Sequence, residues 1–214
     1  MISERLKKQL AAGSQIRKMF EEGNRLKAIY GADKVYDFSI GNPDLEPPHE
    51  VSDALKELAS NPTPGMHGYM SNSGYESTRA AIAAKKSEES GLEISSGAVC
   101  MTVGAASAMN DVLHSLLDPD DEVIVIAPYF MEYNGYIANH GGKAVIVQTD
   151  DKFMPVIDSI KAAITPKTKA VIINSPNNPT GAIFTEETVK KLADFLNKKE
   201  AAYGHEIYLI SDEP

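Results

Sequence analysis

The first candidate for chemistry is a polar turn that follows a short apolar run. Residues 170–173 are apolar and mostly β-branched, which is typical of a buried strand. Residues 174–181 then bring two prolines and a glycine, which interrupt both helix and strand. Because α/β proteins bind ligands at the carboxyl ends of their strands, this turn is a candidate ligand site. The turn contains Asn178, and the alternative for this residue is an asparagine that only holds its own turn.

A carboxylate follows a second apolar run. Residues 207–210 read Ile-Tyr-Leu-Ile, and Asp212 comes after them, separated by one serine. Burying a carboxylate at the end of a strand is unfavourable unless a cationic group pairs with it. Asp212 is therefore expected to need a cationic partner, and the alternative is that it caps a helix.

Small residues mark a third position, where a strand is expected to lead into a helix. Small residues within the segment 102–108 allow an anion to approach the N–H groups at the positive end of the helix dipole. Tight packing between strand and helix is the alternative. The segment lacks the Gly-x-Gly-x-x-Gly pattern, which disfavours a dinucleotide-binding oxidoreductase.

These three positions depend on an alternation of strands and helices that begins beyond residue 97. Such an alternation indicates right-handed crossovers and a mostly parallel sheet, so the predicted fold class is α/β. Thr185 is the predicted N-cap of the last helix. The predicted strands are residues 99–103, 122–126, 144–147, 170–173 and 206–210, and the predicted helices are residues 105–117, 131–140, 156–164 and 185–202.

The N-terminal part of the chain has a different pattern. Apolar residues at helical intervals predict a helix over residues 3–30, which Gly31 closes. The remaining predictions for this part are a strand at residues 35–40, a turn at 41–44, a helix from about 48 to 60, an ordered loop at 61–75 and a helix at 76–89.

Composition and charge disfavour several classes of partner. The chain has 214 residues, of which 43% are hydrophobic and 24% are charged, as in globular proteins. A formal charge of −9 argues against binding to nucleic acid or to an anionic membrane. No apolar run reaches the roughly 20 residues that cross a bilayer. Cys100 is the only cysteine, so we expect a cytoplasmic protein, and we assign no metal-binding residue.

The sequence resembles the class I/II aminotransferases of fold type I, which depend on pyridoxal 5'-phosphate (PLP). The Asn-Pro-Thr-Gly tetrad at residues 178–181 carries the clearest resemblance, and the other segments follow in the family's order. The resemblance implies that Asn178 binds the phenolic oxygen of PLP and that Asp212 pairs with the pyridine nitrogen. It also implies that Gly104, Ala105 and Ala106 hold the phosphate.

The resemblance extends to three further residues. It implies that Phe130, in the Pro-Tyr-Phe step after the strand at 122–126, stacks on the pyridine ring; packing in the core or at its rim is the alternative. It implies that Tyr69 reaches the phosphate of PLP in a neighbouring subunit, which requires at least a homodimer. A loop tyrosine packed on the surface is the alternative for Tyr69. Gly41 is implied to lie against the substrate, and a plain turn is the alternative.

The resemblance also implies an architecture. It is a three-layer α-β-α fold with a mostly parallel sheet, the large domain of fold-type I PLP enzymes, incomplete at the C-terminus. Residues 1–47 are expected to form an N-terminal arm and the start of a small domain, and residues 48–214 the N-terminal part of the PLP-binding large domain. We expect the strand at residues 99–103 to lose its neighbours in this chain, whereas the other four strands can still pair.

The implied reaction moves an amino group from an amino acid to a 2-oxo acid. The lysine that forms a Schiff base with PLP in the family is expected beyond Pro214, so no catalytic residue is assigned within the chain and the chain alone is expected to be inactive. A PLP-dependent lyase or decarboxylase on the same fold is one alternative, because lysine placement and substrate contacts decide the outcome. A non-catalytic sensor domain with this fold is another.

Overall fold

The computed structural model describes residues 2–4, 6–7, 15–38, 41 and 45–213. The chain divides into two compact units, Met1–Tyr69 and Met70–Pro214. The boundary predicted between residues 47 and 48 falls inside the first unit, and that division into domains remains a prediction. Within the described ranges, no helix combines the length and the apolar character that crossing a bilayer requires.

In the first unit, α1 spans Gln15–Tyr30 and α2 spans His49–Ser60. Gly31 ends α1, as predicted, because glycine readily adopts the φ of +94° found there. The Gly31 N–H still donates to the Lys27 carbonyl at 3.0 Å. Lys27 also pairs with Asp37, Nζ to Oδ2 at 2.7 Å, which ties the segment after the helix back to α1.

The strand predicted at residues 35–40 is wrong over the part that the structure describes. Residues 35–38 are in neither helix nor strand, and no described residue pairs with them in a sheet. Tyr36 and Phe38 leave 85% and 93% of their surface exposed. Alternating apolar residues give β propensity, but a strand forms only when another backbone takes up its N–H and C=O groups.

The second unit is built on a parallel sheet that has four strands within the described residues. The strands are β1 (Glu122–Ala127), β2 (Lys143–Gln148), β3 (Thr168–Asn174) and β4 (Tyr208–Asp212), in the order β2-β1-β3-β4 across the sheet. Each of the three pairings is parallel. The helices of this unit are α3 (Glu76–Ser90), α4 (Gly104–Leu116), α5 (Glu132–Asn139), α6 (Ile157–Ala163) and α7 (Glu186–Tyr203). The predicted alternation is confirmed over residues 122–212.

Both faces of the sheet are covered by helices. Alternate residues of β1 point to opposite faces: Val123 and Val125 belong to an apolar cluster with α4 and α5, whereas Ile124 and Ile126 belong to a cluster with α6 and α7. This two-sided burial explains why the central strands read as continuous apolar runs. The three layers, helix, sheet and helix, confirm the predicted fold class.

The run at residues 99–103, which the sequence predicts as a strand, does not join the sheet. Val99 is extended, with φ of −109° and ψ of 127°, but the segment pairs with no strand of the described chain. Val103 is 93% exposed. The strand prediction is therefore wrong for this chain, because an extended segment needs a neighbouring strand. The expectation that it loses its neighbours while the other four strands pair is confirmed.

Candidate functional site

The carboxyl ends of β3 and β4 lie side by side, and hydrogen bonds join them. The register of the two strands sets Asn174 opposite Asp212. Asn174, only 5% exposed, donates from Nδ2 to the Asp212 carbonyl at 3.0 Å. The Ser175 N–H donates to the same carbonyl at 3.3 Å. β4 ends at Asp212 rather than at residue 210 as predicted, so Asp212 is the last residue of a strand and not a helix cap.

The turn after β3 is held by two asparagines that the sequence pattern did not predict. Asn174 Oδ1 accepts a hydrogen bond of 2.6 Å from the Asn178 backbone N–H. Asn177 Oδ1 accepts from the Thr180 hydroxyl at 2.9 Å, and the Asn177 carbonyl accepts from the Gly181 N–H at 2.7 Å. Asn178 is exposed, and its side chain forms no hydrogen bond with the described residues. The alternative, that its side chain holds the turn, is therefore wrong.

The Asp212 side chain is held by a residue that lies 79 positions earlier in the chain. Tyr133, in the first turn of α5, donates its phenolic hydrogen to Asp212 Oδ2 at 2.5 Å. Burial, and then the bond to Asp212, raise the pKa of the Tyr133 phenol, so it stays protonated and acts as the donor. Among the residues that the structure describes, no lysine or arginine pairs with Asp212 and no donor binds its Oδ1. One oxygen of the carboxylate is therefore held and the other is available.

Phe130 follows β1 at the same edge of the sheet and lies against Tyr133. The two rings meet edge to face, with centroids 5.7 Å apart and an interplanar angle of 85°. Phe130 is half-buried at the margin of the apolar cluster between the sheet and the helices α4 and α5. It packs at the rim of this core.

The small-residue segment begins α4. Gly104 has φ of +77° and no atom within 4 Å of the position of a Cβ, so the backbone conformation, rather than crowding, requires glycine. Gly104, Ala105 and Ala106 are all exposed, which contradicts tight packing between a strand and this helix. Val103, at the N-cap of α4, forms no side-chain cap hydrogen bond, so the N–H groups of the first turn lack this partner and can bind an anion.

Tyr69 and Gly41 belong to the first unit, and both are exposed. Their predicted contacts, with a cofactor in a partner subunit and with the substrate, remain predictions. The predictions for residues 39–40 and 42–44, on either side of Gly41, lie outside the described residues.

The carboxyl edge of the sheet presents three kinds of group to a ligand. Asp212 Oδ1 can accept from a cationic N–H, the Asn178 amide can bind an oxygen, and the N–H groups of the first turn of α4 can bind an anion. Asn174 joins Asp212 to the turn that carries Asn178, and α4 packs on the same apolar cluster as Tyr133. This set suits a ligand that combines a cationic, an oxygen and an anionic group.

Comparisons with known proteins identify a family. The model of the family described as Aminotransferase class I and II matches residues 33–213. A probable aspartate/prephenate aminotransferase of Thermus aquaticus is 38% identical over 177 residues, which cover 82% of this chain and 44% of that protein. Aromatic-amino-acid aminotransferase 2 of Thermococcus litoralis is 31% identical over an alignment of 215 positions, which covers 99% of this chain and 51% of that protein.

The likeness extends to three dimensions. The crystal structure of an amino transferase from Eubacterium rectale matches with a TM-score of 0.93 and 41% identity, over 100% of this chain and 55% of that chain. The chain spans about half the length of the curated relatives it matches. Since the family model and these relatives cover most or all of its residues, the chain belongs to the class I and II aminotransferase family.

Proposed function

We propose that the protein containing this chain is a PLP-dependent aminotransferase that moves an amino group from an amino acid to a 2-oxo acid. The observation that carries the proposal is the network at the carboxyl edge, where Asn174 joins Asp212 to the turn that bears Asn178. Membership of the aminotransferase family supports it. The names of the relatives, which include aspartate, prephenate and aromatic amino acids, support amino acids and 2-oxo acids as substrates.

The side chains at this edge fit the ring of PLP. Asp212 would face the pyridine nitrogen, since its Oδ1 has no partner among the described residues and a carboxylate favours a proton on that nitrogen. Asn178 would donate its side-chain amide to the phenolic oxygen, since its backbone N–H is already used by Asn174. When bound, PLP supplies an electron sink for the carbanion left after the substrate loses its α-proton.

Phe130 would lie against the ring and exclude water from it. Its edge-to-face contact with Tyr133 holds the phenyl ring, and Phe130 is only half-buried, so part of its surface remains accessible. Because Tyr133 also holds Asp212, the residues proposed to contact the ring are joined by protein contacts before any ligand binds. Such preorganisation reduces the ordering required on binding.

Gly104, Ala105 and Ala106 would hold the phosphate through the N–H groups of the first turn of α4. The residue before the helix is Val103, whose side chain has no oxygen to cap these groups. A phosphate satisfies such N–H groups and is favoured by the helix dipole. The absence of side-chain bulk at residues 104–106 allows the close approach.

We further propose a cytoplasmic homodimer in which Tyr69 contacts the phosphate of the partner's PLP. The fully exposed Tyr69 ring supports a contact with another molecule. Gly41, also exposed, is proposed to lie against the substrate. A single cysteine, Cys100, supports a reducing compartment.

An amino-transfer assay tests the proposed function. The complete gene product that contains residues 1–214 is incubated with PLP, an amino donor and 2-oxoglutarate, and the new oxo acid is measured. Aspartate is the first donor to test, because several relatives are named aspartate aminotransferases. We expect turnover well above that of free PLP, and a loss of about 100-fold or more in Asp212→Ala, because the change removes the proposed charge pair. Release of carbon dioxide, or elimination without amino transfer, would contradict the proposal.

The 214-residue chain alone provides a second arm of this assay. Because no residue within it is assigned to bond covalently to PLP, we expect no oxo acid above the background of PLP with the donor. Turnover by the chain alone would show that this expectation is wrong and that a group within residues 1–214 performs the chemistry.

A further inference from the structure

The hydrogen bond between Tyr133 and Asp212 points to a residue without an assigned role. We propose that Tyr133 is a positioning residue, whose phenol fixes the Asp212 carboxylate so that its remaining oxygen is directed to the ring nitrogen of the cofactor. The inference rests on the proposed function, because it requires PLP at the carboxyl edge of the sheet.

The Tyr133 ring is itself held firmly in place. It is 2% exposed, and Phe130 meets it edge to face at 5.7 Å. The Tyr129 ring stacks on it at 6.5 Å with an interplanar angle of 10°. The Tyr133 backbone N–H donates to the Phe130 carbonyl at 3.1 Å. A ring fixed in this way can place its hydroxyl reproducibly.

The Tyr133 hydroxyl forms a hydrogen bond that packing of the ring does not require. A phenylalanine would fill the same space, and a buried hydroxyl is unfavourable unless it is hydrogen-bonded. The partner of this hydroxyl is Asp212, whose Oδ2 lies 2.5 Å from the phenolic oxygen. Tyr133 therefore pairs with the charge of Asp212.

The backbone of Asp212 is fixed separately. Its carbonyl accepts from Asn174 Nδ2 at 3.0 Å, and β4 is paired with β3 at this residue. With the backbone held, the rotation of the side chain decides where the free oxygen lies, and the phenol determines that rotation. Sites that bind a ligand through a single oxygen lose affinity when this oxygen is displaced by about 1 Å.

A merely structural role for Tyr133 makes a different prediction. In that case Tyr133→Phe would lower the thermal stability of the protein without PLP, and the protein that remains folded would bind PLP normally. A positioning role changes PLP affinity, and the change depends on the presence of Asp212. The two roles are therefore separated by measuring binding and stability in the same set of variants.

The experiment measures the Kd for PLP of the complete apo-protein in four variants: Tyr133→Phe, Asp212→Ala, the double variant and Tyr136→Phe. Tyr136 is the matched control, because it lies in the same helix, is half-buried, and forms no hydrogen bond with the described chain. Thermal unfolding of each apo-protein provides the readout that does not depend on PLP.

We expect Tyr133→Phe to raise the Kd about 10-fold, which corresponds to about 1.4 kcal/mol, and Tyr136→Phe to leave it within about twofold. In the Asp212→Ala background, Tyr133→Phe should have no further effect. The inference alone would be overturned if Tyr133→Phe kept the unchanged Kd while Asp212→Ala had a raised Kd. It would also be overturned if Tyr133→Phe raised the Kd as much in the Asp212→Ala background as it does on its own. Unchanged binding in Asp212→Ala would overturn the proposed function, and the inference with it.

Discussion

Polar residues lie at both edges of the parallel sheet, but their hydrogen bonding within the protein differs. At the amino edge, Thr165 donates its hydroxyl to Glu122 Oε2 at 2.5 Å, and its N–H donates to Thr168 Oγ1 at 3.0 Å. At the carboxyl edge, Asp212 Oδ1 and the Asn178 amide have no partner among the described residues. At the amino edge, the hydroxyl and the N–H of Thr165 are both hydrogen-bonded within the protein, whereas at the carboxyl edge the Asn178 amide is left for a ligand. Polar residues mark a site only where the fold leaves them unsatisfied.

The difference follows from how each edge is built. At the amino edge, backbone groups also pair across the turns, as when the Glu122 N–H donates to the Lys167 carbonyl at 2.8 Å. At the carboxyl edge, the turn after β3 uses Asn174 and Asn177 for its internal bonds, so Asn178 is spared. The comparison predicts that substitutions at the amino edge change stability, and that those at the carboxyl edge change binding.

The largest difference in the Kd for PLP is expected between the variants Asp212→Ala and Glu122→Ala. Asp212→Ala should raise the Kd for PLP about 100-fold or more, because a charge pair with the ring nitrogen is lost. Glu122→Ala removes a carboxylate from the opposite edge and should leave the Kd within about twofold. Both values come from titrating the complete apo-protein with PLP. Equal effects of the two substitutions would remove the distinction between the edges.

Asn174→Ala should affect both stability and binding. The change removes the bonds to the Asp212 carbonyl and to the Asn178 N–H, so the free energy of unfolding should fall by about 2 kcal/mol. The Kd for PLP should rise about 10-fold, because both proposed contacts shift. Asn139→Ala, at an exposed position at the end of α5, is the control and should change stability by less than about 0.5 kcal/mol. Denaturant unfolding and PLP titration provide both numbers.

Thr165→Val should affect stability alone. The substitution keeps the shape of the side chain but removes the hydroxyl that donates to Glu122 and accepts from the Lys167 N–H. We expect the free energy of unfolding to fall by about 1 kcal/mol, measured by denaturant unfolding, and the Kd for PLP to remain unchanged. Weaker PLP binding in a folded Thr165→Val protein would show that the amino edge also contributes to the site.

The smallest expected effect is on the pH dependence of stability, and it concerns His140, in the turn before β2. Burial, and then the neighbouring His114, lower the pKa of His140 below its usual value, against an opposing effect of Asp111. The folded state thus disfavours the charged form of the His140 ring. The contribution of the neutral ring to the free energy of unfolding is complete above about pH 6.5 and decreases as the pH falls below that value. His140→Gln should make the free energy of unfolding less dependent on pH between about 7 and 5. An identical pH dependence in both proteins would refute this assignment.

Burial on both faces of the sheet explains which strands could be predicted. β1 and β3 are buried on both sides, so their apolar runs are unbroken and easily recognised. Residues 99–103 have the same kind of run, but no local pattern reveals whether a partner strand is present. The same limit applies to residues 35–38, where Tyr36 and Phe38 favour a strand that does not form in the described chain.

The candidate site residues proposed from the sequence lie at the end of an element or in the turn that follows it. Asp212 ends β4, Gly104 begins α4, and Asn178 lies in the turn after β3. Asn174 could have been predicted by the same reasoning, since it is a polar residue that ends a buried strand. Tyr133 could not, because an aromatic residue inside a helix gives no local sign of a hydrogen bond to a residue 79 positions away.

Amide hydrogen exchange of the complete protein, with and without PLP, tests the central claim most directly. Occupation of the carboxyl edge should slow exchange at residues 104–106, 174, 175, 177, 178 and 212, because a bound ligand shields and stabilises those backbone groups. Exchange at residues 120–122, 165, 167 and 168, at the opposite edge, should stay the same. Protection confined to the amino edge, or none at either edge at saturating PLP, would contradict the account.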